Sequence, residues 1–185
     1  QMQEFNFKAD EYDENKHFFL AQYFYDNYNS AMSTLPIINS NIIITKIEVW
    51  RTNIGSAVTN NRNLVAFADL GESKPYGQNP MIEFPGVSNL PDQYLSNQLL
   101  HIVDVNAIRD INSVSPYLQA MGFVSGQNYE KIESARKLSS SEFTFNPKLG
   151  FISLNQALAA DQVLAVAFRY QIVGDTTLYQ VGEFS

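Results

Sequence analysis

Y-E-K-I-E-S-A-R-K-L-S-S-S-E-F-T-F-N-P-K-L-G-F-I-S-L, residues 129–154, is the stretch whose reading decides the fold. Short runs rich in Ile, Phe and Thr are separated by serine, proline and glycine, which is the punctuation of strands and turns. Strands are expected at 131–138, 142–145 and 150–154. A longer apolar strand follows at 163–173, in which Leu164, Val166, Phe168, Tyr170 and Ile172 share one face. Gly174-Asp175 then turns the chain into a last strand at 177–184.

Working toward the start, residues 42–53 (I-I-I-T-K-I-E-V-W-R-T-N) alternate as a half-exposed strand. Strict alternation puts Ile43, Thr45, Ile47 and Val49 on one side, and Ile44, Lys46, Glu48 and Trp50 on the other. A second strand at 64–70, after a short polar connection, suggests a hairpin with the first. At 14–32 the positions Phe19, Leu20, Tyr23, Phe24, Tyr28, Ala31 and Met32 follow helical spacing, with Asp13 as N-cap. The aromatics between Phe18 and Tyr25 keep a strand open as the alternative.

Between these β regions lie 99–105, a short strand candidate, and 106–121, two helical pieces split by Pro116 and ending at Gly122. Residues 71–98 are the least regular part. Pro75, Pro80, Pro85 and Pro91, with Gly77 and Gly86, make a long excursion that Tyr76, Phe84 and Tyr94 could pin. Such a loop either wraps a sheet edge and caps the core or binds something. The fold class is therefore α+β and β-rich: a mostly antiparallel sheet or sandwich core, one N-terminal helix and short helices in the middle. The 185 residues make a single domain (1–185), and a start at Gln1 is read as a piece of a longer chain.

Composition narrows the function. Apolar residues are 45% and aromatics 13%, enough for a sizeable core. A net charge of −7, with only 12 Lys and Arg spread along the chain, excludes a phosphate-binding stripe and so nucleic acid. The absence of cysteine removes disulfides, thiolate metal sites and Cys nucleophiles. No run is long and apolar enough for a membrane helix, so direct insertion of this segment is not expected.

The search for chemistry names no catalytic residue. His17 and His101 have no partner at a metal-ligand spacing. The acidic run from Asp10 to Glu14 lacks the glycine turn and distant Glu of a calcium loop, and reads as a solvated helix start. Gly55-Ser56-Ala57, Ser125-Gly126 and the Ser139 to Ser141 run do not form Gly-x-Ser-x-Gly. Glu48, Asp69, Glu72, Glu130 or Glu133 could pair for glycoside hydrolysis only if the fold brings two together. The reading is a non-enzyme with no cofactor and no metal. A possible contact surface comprises Trp50, Tyr76, Phe84 and Tyr94. Trp50 is either a sugar-stacking ring or, more ordinarily, the seal of a core edge.

Residues 44–53, L-V-A-F-A-D-L-G-E (64–72) and 129–185, including A-R-K-L-S-S-S-E-F-T-F-N-P, L-G-F-I-S-L-N-Q-A-L and A-D-Q-V-L-A-V-A-F-R-Y, together resemble the SprA/Sov family. These are very large outer-membrane proteins of gliding and secreting Bacteroidetes. The resemblance implies a soluble domain inserted in a type IX secretion translocon, exported and associated with the outer membrane, surface-facing rather than periplasmic. It implies a structural and interaction role without catalytic residues. The expected partners are other regions of the same large chain, translocon subunits and secreted cargo. The alternative is a β-sandwich module of a cell-surface protein that binds glycan or another ligand.

Overall fold

The computed structural model describes residues 15–55, 59–73 and 89–185. Their element order is β1 (His17–Phe19), α1 (Gln22–Met32), β2 (Ile42–Thr52), β3 (Asn61–Phe67), α2 (Leu99–Ile102), α3 (Val105–Arg109), α4 (Val114–Ala120), β4 (Tyr129–Lys137), β5 (Phe143–Asn146), β6 (Phe151–Leu154), β7 (Leu164–Ile172) and β8 (Tyr179–Val181). Two antiparallel sheets form, one ordered β1-β6-β5 and the other β3-β4-β2-β7-β8. This is the α+β, β-rich, sandwich-like class that the strand punctuation implies.

Strand β2 departs from strict alternation. Ile44 pairs with Tyr170 and Lys46 with Arg169, so Thr45 is an extra residue, a β-bulge. The bulge shifts the phase by one. Ile42, Ile44, Ile47 and Val49 now share one face, while Lys46, Glu48 and Trp50 share the other. The expected partition, with Ile43 and Thr45 beside Ile47, is corrected by that single residue: Ile43 is exposed and Ile44 is buried.

The first face is the main core. Ile42 and Ile44 meet Phe168, Tyr170 and Val181, and α1 lays Ala21 and Phe24 over them. Farther along, Val49 packs with Ile152, Leu154, Phe143 and Leu138, which join the small sheet to the large one. The helices α2 to α4 cover the Val65, Phe67 and Tyr129 end with Leu99, Val103, Val114 and Leu118. The opposite face carries a smaller cluster of Trp50, Ile132 and Ala135, flanked by Leu64, Ala66, Val163 and Ala165.

Several boundaries differ from the expectations. The β2–β3 hairpin is absent, because β3 pairs along its length with β4, which lies between them. Leu64 and Ala66 thereby sit beside Ile132, flanking the Trp50, Ile132 and Ala135 cluster. Residues 14–32 are not one helix: β1 precedes α1, the strand alternative for its aromatics, and Asp13 lies outside the described residues. The 99–105 strand is instead α2 and the start of α3. Asp104 caps α3, its Oδ1 accepting the Asn106 N–H at 2.9 Å, and just ahead of α2 Asn97 Oδ1 accepts the Leu99 N–H at 2.9 Å, so local side-chain bonds override an apolar run. The helical break falls at Asp110, which is extended, and Pro116 is the third residue of α4, where its missing N–H costs no helical bond.

Gly150, at φ +68°, lies under the Phe24 ring; a Cβ there would sit 2.1 Å from the ring atoms. Gly150→Ala should therefore destabilise by more than about 1 kcal/mol. Phe168→Ala should lose about 3–5 kcal/mol, because its ring is central to the main core. Urea unfolding checks both; wild-type midpoints for the two variants would refute this packing.

Candidate functional site

The base of the 71–98 excursion is the most constructed polar region among the described residues. Its two ends are stitched together by backbone and side chain. Gly71, at φ +73°, packs against the Asp92 backbone and accepts the Asp92 N–H at 3.1 Å. Asn97, wholly buried, donates through Nδ2 to the carbonyls of Asp69 (2.7 Å) and Glu72 (2.9 Å). Ser96 Oγ donates to the Leu90 carbonyl. A buried amide that bonds three backbone groups on two segments fixes both in place.

Asp92 then sets what the loop displays. Its Oδ1 accepts the N–H groups of Tyr94 (2.8 Å) and Leu95 (3.1 Å), an Asx turn. Pro91, Asp92, Gln93, Ser96 and Asn97 are buried, whereas Tyr94 is 58% exposed and Leu95 49%. The turn is anchored at both flanks and projects one aromatic and one aliphatic side chain. Tyr94 thus sits where a contact residue would.

Trp50 does not. It is only 7% exposed, packed on Ile132 and Ala135, and its indole N–H points to Glu48 at 3.4 Å. It is corrected here from contact surface to core seal. Tyr76 and Phe84 lie outside the described residues, as does the acidic run at 10–14. A second aromatic group faces outward instead: Phe19 meets Tyr25, Tyr28 and Phe151 edge to face, at 5.6, 5.6 and 6.2 Å. The rings cross at 75–88° and so do not lie side by side as one flat platform.

Two carboxylates show how differently this fold treats the same group. Glu48 is 4% exposed yet fully ligated, by Lys137 Nζ (2.9 Å), Ser185 N (3.0 Å) and Ser185 Oγ (3.0 Å). Burial works to raise its pKa, but the Ser185 N–H and the Lys137 ammonium outweigh that and hold it below the usual range. Glu72 instead caps α1 from a distance, accepting the Gln22 N–H at 3.2 and 3.3 Å where Ala21 offers no side-chain cap. Burial, with the charges of Asp69 and Asp26, pushes it up to about 7.

His17 and Ser139, also flagged in the sequence, make bonds between neighbouring segments. His17 Nδ1 bonds Ser153 Oγ at 2.8 Å across β1–β6. Ser139 joins Glu142, whose carboxylate the Arg136 guanidinium grips at 2.7 and 3.0 Å and holds down to about 2. Asp69 and Glu72 are brought within electrostatic reach; Glu48, Glu130 and Glu133 are not part of that pair. Among the described residues no cluster of three His, Cys, Asp or Glu could hold a metal ion, and no helix is long and apolar enough to cross a membrane. Asp92 and Asn97 escaped the sequence reading, although each is an Asx residue ahead of a turn or helix, a signal that could have found them. No protein-family model matches the chain, and no curated protein matches it.

Glu72 makes stability pH-dependent with a definite sign. The unfolded chain releases this proton near the ordinary 4.5, while the folded chain keeps it to about 7. Its contribution is whole below about pH 4.5 and is lost as pH rises through about 7. Urea titrations across that window should show stability falling with pH, and Glu72→Gln should flatten that fall; an unchanged slope would contradict the assignment.

Proposed function

We propose that this chain is a non-catalytic structural and interaction module of a type IX secretion translocon, similar to the soluble domains of the SprA/Sov family. What carries the reading is the resemblance of residues 44–53, 64–72 and 129–185 to that family. Two further features support an interaction role. The 71–98 excursion is clamped at its root and holds Tyr94 and Leu95 outward on a fixed turn. A buried frame presenting exposed apolar side chains is how a module offers a contact without paying to order a loop at each encounter.

In this role the domain is exported, lies at the outer membrane on the surface-facing side, and contacts other regions of its parent chain, translocon subunits or cargo. The glycan-binding alternative loses its main residue, because Trp50 is sealed in the core. The test is deletion of this segment from the parent gene in cells. Loss of type IX export or of translocon assembly is expected. Normal secretion with normal gliding rejects the proposal. A milder variant, Tyr94→Ser with Leu95→Ser, should leave the fold intact and weaken only the contact, lowering export in the cell-based assay.

A further inference from the structure

Two stretches of the large sheet, the outer side of β3 and the first half of β7, are covered by no described strand, and one cleft lies against both. β3 pairs only with β4. The Ala68 N–H bonds the Asn128 carbonyl at 2.9 Å, next to the Phe67–Tyr129 pair. Bonded and non-bonded pairs alternate in an antiparallel ladder, so Val65 and Phe67 turn their N–H and C=O groups away from β4. On β7 the Thr52 N–H bonds the Val163 carbonyl at 3.1 Å, which by the same alternation turns Leu164 and Val166 away from β2. β8 covers β7 only at Phe168 to Tyr170.

The chain itself leaves that second stretch open. Gly182, at φ +81°, lies so close to Ala167 that a Cβ would fall 2.9 Å from the Ala167 Cβ. The chain turns there off the ladder and across the sheet face, where Phe184 receives Lys46 at 4.1 Å and Ser185 reaches Glu48. The cleft of about 920 Å³ is lined by every residue from 62 to 68 and from 162 to 168. Consecutive strand residues point to opposite faces, so a void that touches all of them abuts the strand edges, not one face.

We infer that this slot receives an extended segment of a partner polypeptide by β-strand addition, hydrogen-bonded to the outward backbone groups of Val65 and Phe67. Unpaired ladder groups are a template for another strand. The walls state the segment's chemistry. On the core side the slot shows Phe18, Leu20, Ile152 and Leu158; on the other side lie Arg62, Gln162 and the alanines Ala66 and Ala165. The incoming strand alternates, with large apolar side chains every second residue and polar ones between. The charged residues on the walls balance, Arg62 and Arg109 against Glu72 and Glu183, so an uncharged polar side chain such as Thr suits the polar positions at least as well as Lys. The inference rests on strand geometry alone and stands or falls apart from the translocon reading.

The experiment is residue-resolved amide hydrogen exchange on the whole chain, alone and with a panel of short capped peptides that alternate Val or Phe with Lys or Thr. Alone, Val65 and Phe67 should exchange at least about tenfold faster than their ladder-bonded neighbours Leu64 and Ala66. At least one peptide should slow Val65 and Phe67 by about tenfold, and N-methylation of its alternate residues should abolish the effect. Three results overturn the inference: Val65 and Phe67 already as slow as their neighbours, no slowing with any peptide, or equal slowing by the N-methylated peptide.

Discussion

One extra residue in β2 governs how this chain closes. Without the bulge at Thr45, the apolar half of β2 would present Ile42 and Ile44 to one face and Ile47 and Val49 to the other. With it, all four point into the same core, against Phe168, Tyr170, Ile152 and Val166. The same shift delivers Glu48 and Trp50 together to the opposite face, where Lys137 and Ser185 ligate the carboxylate and Ile132 and Ala135 bury the indole. A strand with one buried face has its register set by that face, and a slip of one residue would expose the whole set. Thr45 answers by pairing its own hydroxyl with the Arg169 carbonyl at 3.2 Å.

Around that strand the fold divides into a rigid frame and two places where polar chemistry is spent on position. The Glu48 site satisfies a buried charge completely and ties the chain at Ser185 to the sheet. At Glu72 the opposite holds: a carboxylate caps α1 among acids, keeps its proton toward neutrality and joins the helix to the root of the excursion. Both are positional. Neither sets a nucleophile beside a base, while Tyr94 and Leu95 stand outward on the turn that Asp92 fixes.

Much of this was legible in the residues. The strands of the last third, the shared face from Leu164 to Ile172, and the turn at Gly174-Asp175 follow from period-two patterning and turn residues, which are local signals. The bulge was not legible, because the apolar run Ile42-Ile43-Ile44 fits either phase and only the partner strand decides. The place of β3 was hidden for a similar reason: sequence neighbours suggest a hairpin, while the match of Leu64 with Ile132 is made across a long separation. Residues 99–105 misled because five apolar residues read as strand when local bonds of the Asn97 and Asp104 side chains turn the chain into short helices. At the candidate site, Tyr94 was named by its type. Asp92 and Asn97 were missed although each is an Asx residue two positions ahead of the N–H it binds, whereas Glu72 was missed in its role because capping a helix 50 residues away leaves no spacing to read.

The claim on which all of this turns is that the phase shift at Thr45 makes the core, and deleting that residue tests it most directly. Urea unfolding of the Thr45 deletion, with Thr45→Ala as the control that keeps the extra residue, separates the phase from the side chain. The account predicts that the deletion abolishes cooperative unfolding or lowers stability by more than about 4 kcal/mol, while Thr45→Ala costs about 1 kcal/mol. A deletion variant that unfolds cooperatively within about 1 kcal/mol of the parent chain would contradict it.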